Sequence, residues 1–216
     1  MRSWPILGGL AGWLAGRASA GGLVRLGVGR QGGAAGPAVL VYDTFTDANG
    51  TSLDAHTPDI CPAGSAWRED ADNWDIQSNR ANHVTINSGG YATIDSGKAD
   101  VTASVTLYPY SGGMPGLVLR FTDTTHTWVV QAGRGSQDYR IYEVNGSSTL
   151  RAFAAVTVGA GPHALAVVAS GTTIAATFDA ANPISYASAT LNQTVTRHGI
   201  KAYKGTDRLD DLTIAG

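Results

Sequence analysis

The stretch ADVTASVTLYPY at residues 99–110 alternates without a break. Val101, Ala103, Val105 and Leu107 fall on one face, and Thr102, Ser104, Thr106 and Tyr108 on the other. Successive side chains of a strand point to opposite sides, so a period of two predicts a strand with one apolar and one polar face. Similar segments surround it. AVLVYDTF (38–45) reads as a first strand, and NWDIQSNRANHV (73–84) as two strands joined by a turn at Ser78-Asn79. GLVLRFTD (116–123) sets Leu117, Leu119 and Phe121 together. TWVVQAG (127–133), DYRIYEVNG (138–146), TLRAFAAV (149–156), HALAVVASG (163–171), TTIAATFDA (172–180), HGIKAYK (198–204) and LDDLTIAG (209–216) complete the series. Gly, Asn, Asp and Ser clusters separate them, and Asn145-Gly146 is the strongest hairpin signal. About a dozen short strands and no helix predict an all-β antiparallel sandwich or barrel.

Composition agrees. The chain has 216 residues, only 15% of them charged, and 28 glycines, which suits strands joined by many turns. The lone Cys61 can form no internal disulfide and lacks the Cys and His neighbours of a metal site, so it reads as a small apolar residue. Charge is unevenly spread. Arg2, Arg17, Arg25 and Arg30 precede Asp43 with no acid among them, whereas 11 basic and 17 acidic residues follow from Asp43 on. A +4 segment therefore precedes a −6 body.

This divides the chain into an N-terminal segment, 1–38, and a body, 39–216. The first contains 11 glycines and seven alanines. Its apolar run ILGGLAGWLAG (6–16) is about half the roughly 20 residues of a spanning helix, so no membrane span is expected. Four charges over some 40 residues are too sparse for a nucleic-acid-binding tail. Two readings stay open. In one, Arg2, residues 6–16 and ASA (18–20) form a cleaved secretory signal. In the other, the segment is an extended anchoring arm that docks on a partner through Trp4, Trp13, Arg17 and Arg25, since glycine backbone lies flat in a groove and tryptophans dominate interfaces. The partner is then another protein or further copies of this chain around a symmetry axis.

The body resembles the concanavalin A-like lectin and glucanase fold, including laminin-G-like jelly rolls. The likeness rests on DTFTDANGTSLDAHTPDI (43–60) followed by Trp67, on NWDIQSNRA, on GLVLRFTDTTHTWVVQAG, on VVASGTTIAATFD and on the close RHGIKAYKGTDRLDDLTIAG. Modules opening in this way, behind a short Gly-rich N-terminus, are similar to those of tailed-phage virion proteins. The resemblance implies a sandwich whose first strand ends near Phe45. The chain then crosses one end of the sandwich in an ordered loop, with Asp47-Ala48-Asn49-Gly50 as a tight turn, Leu53 as a plug and a tryptophan re-entering the core. It implies capsid or tail proteins as partners, cell-surface polysaccharide as a ligand, and a calcium site where first and last strands meet, with Asp43 and Asp211 as candidate ligands.

Catalytic patterns are weak. Glycosidases of this fold pair two glutamates on one strand, but Glu69 and Glu143 are 74 positions apart. The five histidines show no metal-ligand spacing. REDAD (68–72) reads as an acidic loop. For sugar binding, which joins flat aromatic stacking to short polar groups, the candidates are Tyr108, Tyr110 and Tyr142. Trp67, Trp74 and Trp128 are expected in the core. Together these readings predict a non-enzymatic virion surface protein, a capsid decoration, head appendage or tail-associated module, with an outward jelly roll. A secreted lectin-like module is the alternative.

Overall fold

The computed structural model describes residues 36–85 and 89–216. The anchoring residues proposed from sequence, Trp4, Trp13, Arg17 and Arg25, lie outside these. A compact unit spans Gly36–Gly216.

Two antiparallel sheets pack face to face. The larger has eight strands. Seven run in the order β13 (Ala181–Tyr186), β12 (Thr173–Phe178), β11 (His163–Ser170), β6 (Val101–Tyr108), β15 (Arg208–Ala215), β4 (Ala81–His83) and β3 (Trp74–Ile76), and β1 (Val39–Asp43) adds to β15. The other has seven, in the order β10 (Ser147–Ala155), β9 (Asp138–Asn145), β8 (His126–Gly133), β7 (Gly116–Asp123), β14 (Arg197–Ala202), β5 (Gly90–Asp95) and β2 (Arg68–Ala71).

The alternation of β6 is realised as expected: Val101, Ala103, Val105 and Leu107 are buried in the core. The same core takes Trp67, Trp74 and Trp128, and the Trp128 indole N–H donates to the Leu191 carbonyl at 3.0 Å. The β3–β4 turn forms at Ser78-Asn79, both residues with positive φ (56° and 53°), and Gln77 N–H donates to Arg80 O at 2.9 Å. That is the backbone of a hairpin turn whose twist matches its strands.

The opening loop is as ordered as its composition suggested. Phe45 sits at φ 48°, a costly conformation for a bulky residue. Asp43 holds it there, because its Oδ1 accepts the Phe45 N–H at 2.7 Å while the ring is fully buried against Trp67. Asp47 accepts the Ala48 N–H, Asp59 accepts the Thr44 N–H, and Gly50 turns at φ 87°. The aspartates satisfy loop backbone, and Leu53 is fully buried beneath them.

Three strands depart from the sequence reading. β2 is built from the supposed acidic loop REDA. Its Glu69 turns back to accept N–H groups of Asp54 and Trp74 and the Ser52 hydroxyl. β5 and β13 were not anticipated at all. Phe121 also leaves the face of Leu117 and Leu119. Arg120 takes φ 51° and the register slips there, a bulge that rotates Phe121 outward against Tyr91 at 5.7 Å.

Candidate functional site: the concave face of the seven-stranded sheet

Cross-strand register places two rows of side chains on the outer face of the seven-stranded sheet. One row runs Leu150, Tyr142, Val129, Val118, Gly199 and Thr93. The next runs Phe153, Arg140, Gln131, Gly116, Lys201 and Tyr91. Their chain neighbours Leu117, Val130, Ile141, Ile200 and Ala92 are core, so these rows face away from it.

The central members of the rows are nonetheless buried. Val118 is 0% exposed, Val129 3%, and Gln131 and Lys201 both 7%. These central positions lie in a hollow walled by longer neighbours such as Tyr91, Met114 and Tyr142. The hollow is a cleft of about 300 Å³ whose lining includes Tyr91, Tyr142, Gln131, Arg140, Lys201 and Met114. Leu150 and Phe153, 46% and 61% exposed, stand on the edge strand β10.

Two glycines shape the floor. A Cβ at Gly116 would lie 2.1 Å from the Val130 carbonyl oxygen, and one at Gly199 2.1 Å from that of Ala92. Gly116 separates Gln131 from Lys201 in its row, and across it Lys201 Nζ donates to Gln131 Oε1 at 2.6 Å. Burial pushes the Lys201 ammonium down to about 8, with Asp207 pulling the other way. The Arg140 guanidinium donates twice to Asp138 and once to the Tyr142 hydroxyl at 2.9 Å. The hydrogen bonds to Asp138 raise its already high pKa. Tyr142 is thereby fixed in orientation. Burial raises the Tyr91 phenol.

The three tyrosines proposed from sequence do not converge. Only Tyr142 lines this cleft. Tyr108 is on the outer face of the other sheet, where the Arg80 guanidinium covers its ring at 3.8 Å from the centroid. Tyr110 follows β6, is 54% exposed and borders a separate hollow of about 350 Å³ with Asn82, His83 and Lys204 at one end of the sandwich. Tyr91, Gln131 and Lys201 were missed. The available signal was the pair of unbroken apolar runs, GLVL and WVV, which alternation cannot explain unless both faces of the strands are buried.

Nor do Asp43 and Asp211 make a calcium site. β1 does pair with β15, but Asp43 lies opposite Leu212 and is fully buried. Its oxygens accept N–H groups from Phe45, from the Trp67 indole at 2.6 Å and from His56 at 3.0 Å. Three donors take up three of its roughly four lone-pair sites. Asp211 is exposed on a bulge at φ 50°. Among the described residues no group of three His, Cys, Asp or Glu is arranged to hold a metal. His56 instead bridges Asp43 and Asp47. Burial lowers its pKa, but the two carboxylates outweigh that and raise it above the ordinary imidazole value.

No family model matches the chain, and no curated protein does. Solved structures do. The carbohydrate-binding module CBM66 from Bacillus subtilis superposes with TM-score 0.58 at 12% identity, over 69% of this chain and 95% of that one. The fold is a concanavalin-like jelly roll. The GH43 protein BlXynB from Bacillus licheniformis matches at TM-score 0.56 and 14% identity, over 81% of this chain and 39% of its own. The potassium-bound carbohydrate recognition domain of Emp46p matches at TM-score 0.50 and 10% identity, over 69% and 88%. Identities this low speak for the jelly roll alone.

Proposed function

We propose that this chain is a non-catalytic glycan-binding protein of a virion surface, whose jelly roll takes sugar on the concave face of its seven-stranded sheet. The observation that carries the sugar reading is that cleft. Tyr142 and Tyr91 supply flat apolar rings, while Gln131, Arg140 and Lys201 supply directed donors beside them. Sugars present an apolar ring face and a rim of hydroxyls, and this arrangement is the complement. Similarity to the carbohydrate-binding module CBM66 and to the Emp46p carbohydrate recognition domain supports the same reading.

Two features support absence of catalysis. Glu69 and Glu143 lie on β2 and β9, five strand steps apart in the sheet order, or about 24 Å at the usual strand spacing. Glycoside hydrolysis by paired carboxylates needs about 5–9.5 Å. Both are also engaged, Glu69 with loop N–H groups and Glu143 with Arg151 at 2.8 Å.

The virion setting is supported by the opening DTFTDANGTSL (43–53) behind a Gly-rich N-terminal segment. Residues 1–38 are the proposed anchor to capsid or tail proteins. Glycan-array binding by the full chain, lost in Tyr142→Ala, tests the first half. Mass spectrometry of purified particles tests the second: recovery of the chain with residues 1–20 intact is expected. A free protein lacking them would mean a secreted lectin-like module instead.

A further inference from the structure

Lys201 places a cation on the floor of the cleft with no carboxylate in direct ion-pair contact among the described residues. Among the described residues its hydrogen-bond acceptor is the neutral amide oxygen of Gln131, and the Tyr203 ring lies 5.8 Å away. No carboxylate among the described residues forms a salt bridge with it. Asp207 is the acid whose charge reaches it. That carboxylate is already committed to main-chain N–H groups of Tyr110, Met114, Tyr203 and Lys204, which tie two loops together.

The rest of the cleft repeats the imbalance. Its lining contains Arg140 and Lys201 and no acid, in a body that carries 17 acidic and 11 basic residues. Arg140 is in a direct ion pair with Asp138, whereas Lys201 is reached by the Asp207 charge only through space. Burying an ammonium without a counter-ion is unfavourable, and the neighbouring floor positions Val118 and Val129 hold apolar side chains instead. An anion arriving in the cleft would supply the missing charge in a site of low dielectric, where a charge-assisted hydrogen bond is strong.

We propose that the cleft selects acidic glycans, a carboxylate or sulfate of the sugar pairing with Lys201 Nζ while the ring packs against Tyr142. This rests on the glycan-binding reading above. Neutral sugars lack the group that offsets the buried charge, so they bind more weakly.

Titration gives the proposal a signature. Lys201 loses its proton near pH 8, so anion affinity falls as pH rises through that value. The groups facing it are Tyr91 from β5, Gln131 from β8, Arg140 from β9, and Tyr203 and Asp207 beyond β14. Tyr91 titrates above the ordinary phenol value. Between pH 7 and 9 a group of pKa about 8 drops about tenfold in protonated fraction, and affinity falls with it.

The test uses the full chain and four probes: an oligogalacturonate, its carboxyl-reduced neutral twin, a sulfated galactan and its desulfated twin. Acidic members are expected to bind at least about tenfold more tightly than their twins, and the stronger of the two names the anion. The preference should vanish in Lys201→Met. Lys201→Arg should keep the preference but lose the pH dependence, since arginine stays charged, and this arm stands even if the methionine variant folds poorly. Equal binding of neutral and acidic twins, or a pH dependence that persists in Lys201→Arg, would overturn the selectivity while leaving glycan binding intact. Binding of none of the four would overturn the glycan reading itself.

Discussion

The two outer faces of this sandwich are made from strands of similar length and opposite character. On the eight-stranded sheet, β6 and β11 present Thr102, Ser104, Thr106, Ala164, Ala166 and Val168, mostly small and at least partly exposed; Val168 is 44% exposed. On the seven-stranded sheet the outward positions Val118, Val129, Gln131 and Lys201 are 7% exposed or less. The difference goes with the cleft, where Tyr91, Met114, Arg140 and Tyr142 surround the central positions. A concave face withdraws its own side chains from water and so creates the dry, shaped surroundings in which a ring can stack and a single hydrogen bond counts. A surface that is merely polar and exposed, such as the one carrying Tyr108, leaves a ligand competing with water, and there Arg80 already covers the ring.

That contrast can be broken first by charge. Val118→Asp should cost about 3–5 kcal/mol, as for an uncompensated buried charge, whereas Val168→Asp on the other face should stay within about 0.5 kcal/mol. Urea midpoints of the two variants measure this, and equal costs would mean the faces do not differ in depth. Next comes the floor. Gly116→Ala pushes a methyl against the Val130 carbonyl and should cost about 1–3 kcal/mol in the same assay. Smaller still, Tyr142→Ala should weaken glycan binding about 10–100-fold, equivalent to about 1.4–2.8 kcal/mol, with the melting temperature little changed. Tyr108→Ala should leave affinity unaltered. At the end loop shared by both sheets, His56 has a raised pKa. Its clamp on Asp43 and Asp47 should therefore be fully present below about pH 6.5 and fade as pH rises through the raised value. Thermal melts should lose this pH dependence in His56→Asn. Chelation marks the lower end: excess EDTA should leave the melting curve where it is, since Asp43 already accepts three N–H donors.

The sandwich was legible because β6, β11 and β15 alternate and because Asn, Asp and Gly mark their turns. Strands that break local rules were not. β13 carries Pro183, which is tolerated because β13 is an edge strand, but proline argues against a strand when read alone. β2 looks like a loop because its glutamate serves the neighbouring turn. The Arg120 bulge hid the outward turn of Phe121, since alternation extrapolated through it assigns the wrong face. The cleft was legible only through Tyr142. Its other members are scattered from Tyr91 to Lys201 over five strands, and a cleft assembled from that many segments is stated by none of them.

The most direct test is a backbone-amide NMR titration of the full chain with whichever acidic oligosaccharide binds it. Chemical-shift changes centred on Tyr91, Gln131, Tyr142 and Lys201, with residues 102–108 and 164–177 undisturbed, are expected. Shifts centred on the eight-stranded sheet, or on the hollow beside Tyr110, would contradict the assignment of the concave face as the binding site.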